Sequence, residues 1–270
     1  MNDVLDLNSY LTRIGYTGAA QATLPSLRRL ALLHAESIAF ENLNPFLGLP
    51  VSLDLADVER KLVHEGRGGY CFEQNLLFGQ ALRCIGFNVV DLAARVLWSR
   101  PDDAHTARTH MLLAVTLDGN CHIVDVGFGG QTLTGVLALR ADTPQATPHG
   151  EFRLLRDGDQ WRMQSQIAHE WRSLYRFDFS PQYAVDYEIC NYYLSTSPRS
   201  HFTQNLITAR ATPTARLALQ NRDYAVYTLD GGSTRRRLET RQEIMRVLED
   251  DFGISLASLP QLAARLDKLP

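Results

Sequence analysis

The sequence predicts an α+β protein, with helices first, antiparallel strands in the middle and a mixture of both at the end. Three observations predict it. Apolar residues recur at helical spacing up to Ile85, short β-rich runs separated by turn dipeptides follow from Val89, and strand and helix patterns alternate after Tyr224. The 270 residues are 45% hydrophobic, enough for sizeable cores. Formal net charge is −3 with no basic tail or stripe, which argues against a general nucleic-acid binder. No apolar run approaches the ~20 residues of a membrane span. The acidic start, Met1-Asn2-Asp3-Val4-Leu5-Asp6, lacks the basic and then apolar pattern of a signal peptide, so a cytoplasmic protein is expected.

Taken in order, Leu24 to His34 carries Leu27, Leu30 and Leu33 at helical spacing, with Pro25 suited to a first turn. Val58 to Val63 reads as another short helix. Gly66-Arg67-Gly68-Gly69 is a flexible loop, and Cys71 to Ile85 is a helix with Gly86 as its stop. Val89 to Leu97, Thr109 to Leu117, Cys121 to Phe128, Phe152 to Leu155 and Trp161 to Ser165 read as strands. Asp118-Gly119 and Asp157-Gly158 are hairpin turn signals. Such a run implies an antiparallel sheet or small barrel. Residues 175–205, rich in Tyr, Asn, Ser and Pro, read as a connector. Tyr224 to Leu229 and Arg236 to Thr240 read as strands, and Arg241 to Asp250 as a helix.

Four cysteines (Cys71, Cys84, Cys121, Cys190) are widely spread and form no CxxC pair, so neither a disulfide framework nor a structural zinc site is expected. Cys71 stands apart because it sits where a glycine-rich loop becomes a helix. Free N–H groups and the helix dipole there favour a thiolate, the nucleophilic form. An inert cysteine beside a tight turn is the competing explanation.

His110 and Asp125 lie on strands joined by Asp118-Gly119. With a two-residue loop Leu117 pairs with Asn120, and Asp125 then lies opposite Leu112. Alternation puts His110 on the face of Leu112, so His110 and Asp125 become diagonal neighbours. A three-residue loop would put them on opposite faces. The pair serves either as a structural tie or, with Cys71, as base and orienter for a nucleophile. The second reading implies acyl transfer through a thioester and leaves the acceptor, water or an amine, open.

The stretch Arg67-Gly68-Gly69-Tyr70-Cys71-Phe72-Glu73-Gln74-Asn75 resembles the nucleophile motif of the arylamine N-acetyltransferase family. Five further pieces match in order: Tyr10-Leu11-Thr12-Arg13-Ile14-Gly15, Phe40-Glu41-Asn42-Leu43-Asn44, Thr109-His110-Met111, Asp125-Val126-Gly127-Phe128-Gly129 and Ser195-Thr196-Ser197-Pro198. The resemblance runs to about Phe202 and is weaker afterwards, though Phe252-Gly253-Ile254 also fits. It implies an N-terminal helical bundle, a central antiparallel β-barrel and a C-terminal α/β lid around a papain-like cysteine catalytic core. The expected parts are 1–88, carrying the nucleophile; 89–190, carrying His and Asp; and 191–270, connector and lid. The resemblance also implies acetyl-CoA as donor, aromatic amines or hydrazines as acceptors, and a two-stage ping-pong cycle. Cys71, His110 and Asp125 take the catalytic positions. Phe40, Phe128, Phe202, Thr109 and Gly129 fall at substrate-binding positions, and Glu41, Asn44 and Arg67 at a polar cluster that braces the nucleophile loop. Tyr70 stands where other members carry various residues.

The remaining features carry less. Gly127, Gly129 and Gly130 either let CoA approach the backbone or turn the chain. Arg235-Arg236-Arg237 is a candidate for CoA phosphates, with a solvated strand edge the commoner explanation. His105, His122, His149, His169 and His201 show no ligand spacing and read as surface or satisfied histidines, so no metal is expected. A homo-oligomer stays open. The rival functions are an amide synthase of the same family, a cysteine hydrolase or transglutaminase-like enzyme with the same triad, and a degenerate binding module.

Overall fold

The computed structural model describes residues 4–269; residues 1–3 of the acidic start, and residue 270, lie outside the described residues. Local rules account for the first helices. Asp6 caps α1 (Leu7–Arg13) by accepting the Asn8 and Ser9 amides at 3.1 Å. Thr23 caps α2 (Leu24–Ser37), which has Pro25 in its first turn and outlasts the expected helix by three residues. A two-residue strand, β1 (Phe40–Glu41), precedes α3 (Leu43–Leu47). The short helix expected around residue 60 is α4 (Leu55–Glu59), capped by Asp54 and continued by one π-helical turn, Arg60–His64. α5 (Cys71–Ile85) begins and ends where the sequence places it.

The central strands are β2 (Asn88–Val96), β3 (His110–Leu117), β4 (Asn120–Val124), β5 (Leu137–Ala138), β6 (Gln145–Thr147), β7 (Gly150–Asp157), β8 (Gln160–Ile167) and β9 (Glu170–Phe177), ordered β5-β4-β3-β2-β9-β8-β7-β6 and antiparallel. The side-chain amide of Gln145 stitches the two outer strands together. It accepts from Ala138 N at 2.8 Å and donates to Ala138 O at 3.0 Å, so the sheet is a nearly closed barrel. Asp118 and Gly119 both have positive φ (+49° and +76°), the two-residue loop that sets Leu117 opposite Asn120.

The last sheet is β1-β10-β11-β12-β13, with β10 (Ile207–Thr212), β11 (Ala215–Gln220), β12 (Asp223–Thr228) and β13 (Ser233–Arg237). Against it pack α8 (Arg241–Arg246), a π-helical turn at Val247–Asp251, and α9 (Leu262–Leu266).

Three expectations need correction. The strand expected over Cys121 to Phe128 ends at Val124, and the chain then turns, with the Asp125 carboxylate accepting the Gly127 amide at 2.9 Å. Residues 175–205 are not a plain connector: they contain the end of β9, α6 (Ala184–Thr196) and α7 (His201–Gln204). The apolar pattern of α6 is inverted, with Val185, Ile189 and Tyr192 exposed while Asn191 and Ser195 are buried, so it does not read as an amphipathic helix. Residue 190, the expected end of the barrel part, falls inside α6, whose Tyr187 and Leu194 join the core of the N-terminal helices. The final strand also ends earlier than the expected Arg236 to Thr240, because the Thr240 hydroxyl instead accepts the Glu243 amide at 3.2 Å and starts α8.

Three apolar cores result. One joins the helices to the outer face of β2, β3 and β4, one fills the barrel, and one lies under the last sheet. No described helix is long and apolar enough to cross a membrane.

Candidate active site

Cys71 is the first residue of α5 and is only 4% exposed. The loop before it is held from several sides. Glu73, one turn on, accepts the Tyr70 amide at 3.1 Å, and Gln74 donates to Ala39 O (2.8 Å) and Gly69 O (3.2 Å). Gln74 is itself held by His34 Nε2 at 2.7 Å, and His34 Nδ1 meets the Tyr10 hydroxyl at 2.8 Å. Burial drives the His34 pKa down to about 4, so the ring is neutral and can share hydrogen bonds with both. Gly68 is forced by contact, since a Cβ there would stand 2.0 Å from Ala39 O.

Beside this loop lies a buried charge cluster. Arg67 grips Glu41 Oε1 through Nε (3.0 Å) and Nη2 (2.7 Å), and its Nη2 also reaches Asn44 Oδ1 at 3.0 Å. Lys61 pairs with Glu73 at 2.6 Å. Burial pushes the Glu41 carboxyl up, but Arg67 and Lys61 outweigh it and hold Glu41 below its ordinary value. For Glu73 burial outweighs Lys61, and its pKa is raised. Two cations and two carboxylates thus neutralise one another behind the cysteine, as buried charges require.

His110 opens β3, and Asp125 directly follows β4. The register brings them to one face, with His110 Nε2 2.7 Å from Asp125 Oδ2. Both are buried. Burial alone would depress the imidazole, but the Asp125 charge and hydrogen bond, together with the neighbouring Cys71 thiol, raise its pKa to about 10. Burial likewise pushes Asp125 up, and His110, the Gly127 amide (2.9 Å) and Asn75 outweigh it, so its pKa is lowered. With Nε2 engaged by Asp125, Nδ1 is the nitrogen left for the thiol. The Cys71 Sγ also contacts Thr109 O at 3.6 Å.

Phe128 meets the His110 ring edge-on at 5.0 Å. Phe40 and Phe202 stand 6.0 Å apart, Phe202 lies 5.6 Å from Tyr70, and Gly129 packs against the Phe40 ring. Arg235, Arg236 and Arg237 lie on the exposed outer strand β13, where Arg235 and Arg236 cover Tyr227 and Tyr224. Of the histidines set aside, His149 is held by Thr134 Oγ1 and Thr212 O, whereas His122 has a buried Nδ1 that finds no partner among the described residues.

Sequence reasoning gives no role to Asn75 or Tyr175. Asn75, one helical turn after Cys71, donates to Met111 O (2.8 Å) and Asp125 Oδ1 (3.1 Å) and accepts Val126 N (3.2 Å). Its i+4 spacing from Cys71 is the signal that could have found it. Tyr175 packs on His110 at 4.9 Å from β9, a strand without a sequence signal. Gly127 approaches Cys71 so closely that a Cβ would stand 2.8 Å from its Cα and 2.7 Å from Asn75 Nδ2.

A cysteine at a helix N-terminus, set against a buried His–Asp pair on a barrel, has the parts of an acyl-transferring enzyme. A family model described as N-acetyltransferase matches residues 23–260. The arylamine N-acetyltransferase of Mycolicibacterium smegmatis is 41% identical over 94% of this chain and 94% of its own. That of Escherichia coli (strain K12) is 42% identical over 93% and 89%. The solved structure of Mycobacterium marinum arylamine N-acetyltransferase in complex with CoA superposes with a TM-score of 0.94 at 40% identity, covering 98% of this chain and 99% of that one. The chain belongs to the arylamine N-acetyltransferase family and is an acyltransferase.

Proposed function

We propose that this enzyme transfers acetyl from acetyl-CoA to arylamines and arylhydrazines through an acetyl-Cys71 thioester, in a ping-pong cycle. The observation that carries this reading is the 2.7 Å contact between His110 and Asp125, buried beside the Cys71 thiol. His110 takes the thiol proton at Nδ1, and Asp125 holds the Nε2–H tautomer and stabilises the cation. The thiolate attacks the thioester carbonyl, with free N–H groups at the start of α5 facing the developing oxyanion. The carbon–sulfur bond to CoA breaks, and CoA leaves with the proton from His110. An amine then attacks acetyl-Cys71, His110 takes the amine proton, and the thiolate is released.

Phe40, Phe128 and Phe202 supply flat apolar surface for an aryl acceptor, where stacking adds roughly 0.5–1.5 kcal/mol per pair beyond burial. The backbone of Thr109 and Gly129 lines the approach. Glu41, Asn44 and Arg67 brace the nucleophile loop. In this division of labour the N-terminal helices bring the nucleophile, the barrel the base and orienter, and the last sheet with its helices the cover.

Intact mass after incubation with acetyl-CoA tests the reading. One added acetyl group on wild type, none on Cys71→Ala, and its disappearance on adding an arylamine are expected. Labelling that survives in Cys71→Ala overturns it. Loss of the acetyl group at the same rate without amine would indicate a hydrolase instead.

A further inference from the structure

A cleft of about 700 Å³ opens between the first turns of α2 and the barrel rim at residues 134–136 and 145–148. Neither Cys71, His110 nor Asp125 lines it. Its volume lies within the roughly 300–1,000 Å³ of small-molecule sites.

Two arginines line this cleft, Arg28 and Arg29, both exposed. Among the described residues neither makes a hydrogen bond or an ion pair. The acid that feels Arg29 is Glu36, two turns further along α2. Cations near a helix N-terminus oppose the macrodipole, which prefers them at the other end. Here Arg28 and Arg29 occupy the second turn, no acid sits in the first, and Glu36 lies in the last. Two cations without an acidic partner of their own, beside a cavity, are what an anionic ligand would offset.

The rest of the lining narrows the ligand. Pro25, Leu32, Val136 and Pro148 give apolar walls. The polar side chains on the barrel side are already engaged. Gln145 spends both amide ends on Ala138, Thr134 meets His149 at 3.0 Å, and Thr147 donates to Gly150 O at 2.7 Å. A sugar or nucleotide, with many hydrogen bonds to satisfy, finds few partners here. A compact anion on an apolar body finds both of its needs met.

We propose that this cleft is a second binding site, separate from the Cys71 centre, for a small amphipathic anion with an aryl or alkyl body. Its acidic head lies between Arg28 and Arg29, and its body lies against Leu32 and Val136.

Calorimetric titration of the full chain at low ionic strength tests it, with naphthalene-2-carboxylate, 1-naphthyl phosphate and the neutral naphthalene-2-carboxamide as probes. At least one of the two anions should bind one to one, the tighter identifying the preferred head group, and the carboxamide at least tenfold more weakly. Saturating CoA should not displace the anion. The double variant Arg28→Gln/Arg29→Gln should bind at least tenfold more weakly, while melting no lower than wild type and becoming acetylated on Cys71 at an unchanged rate. Val136→Trp should block binding by filling the cleft. Binding of neither anion, equal affinity for the carboxamide, displacement by CoA, or unchanged affinity in the double variant would each overturn the proposal.

Discussion

At Asp125 the proposed chemistry uses charge more than shape. Asp125→Asn keeps the size of the side chain but removes the charge that outweighs burial and lifts His110 to about 10. The imidazole should then protonate only at lower pH, and acetylation of Cys71 should slow by roughly 10²–10⁴-fold, the usual contribution of a positioned base. Rates of Cys71 alkylation against pH, measured on folded protein, check this: the variant profile should shift, and coincident profiles would make Asp125 a structural tie. Gly127 is constrained by contact instead. Gly127→Ala places a methyl group 2.8 Å from Cys71 Cα and 2.7 Å from Asn75 Nδ2, so α5 or the Asp125 loop must move. A loss of about 1–3 kcal/mol is expected from such overpacking, read by urea unfolding, together with slower acetylation of Cys71.

Elements that rest on their own sequence are α2, α5 and the β3–β4 hairpin. Each has its caps or turn residues beside it, and each forms where those signals lie. Elements that borrow their stability are β9, β10, β11 and α6. The turn into β9 is Ala168–His169, both at positive φ (+49° and +67°) without the glycine or asparagine that would announce it. β10 and β11 carry Ala209, Ala211, Ala215 and Ala218, weak strand formers, yet they sit in the middle of their sheet. The barrel seam depends on one side chain. Gln145→Leu removes both hydrogen bonds to Ala138, and at about 0.5–1.5 kcal/mol each the seam should open more readily. Hydrogen exchange at the Ala138 amide should accelerate about tenfold, while exchange in α5 stays unchanged.

Across the whole molecule two buried histidines set opposite limits on stability against pH. His34 is held at about 4, below its ordinary value of 6.5, so the unfolded chain takes up the proton first. Its contribution is complete above pH 6.5 and is lost as pH falls towards 4; the gap corresponds to roughly 3 kcal/mol. His110 is raised to about 10, so its contribution is complete below pH 6.5 and is lost as pH rises towards 10. Urea unfolding from pH 4 to pH 10 should therefore show a maximum near pH 6.5. His34→Gln should flatten the acid side, and Asp125→Asn the alkaline side. The sheets are also tied to each other across the site. Arg216 of β11, buried and, among the described residues, without a carboxylate partner, donates to Thr132 O (2.9 Å), His149 O (3.1 Å) and Gly130 O (3.4 Å). Burial lowers its pKa to about 10.

The sequence by itself determined the elements whose signals are local: a helix beginning at Cys71, a two-residue turn at Asp118-Gly119, and the strand alternation that puts His110 and Asp125 on one face. Each depends on residues within one turn or one hairpin, where spacing and backbone preference act directly. Only the tertiary structure decided what closes around them. Tyr175 reaches His110 because β9 pairs with β2, which sets Tyr175 opposite Val96, 79 positions earlier in the chain. Asn75 reaches Asp125 because α5 packs on the outer face of β3. Phe40 joins Phe202 because β1 adds to β10 across the chain. These contacts carry no local signature, since they arise from burying apolar faces that are far apart in sequence, and that burial is decided by the whole chain at once.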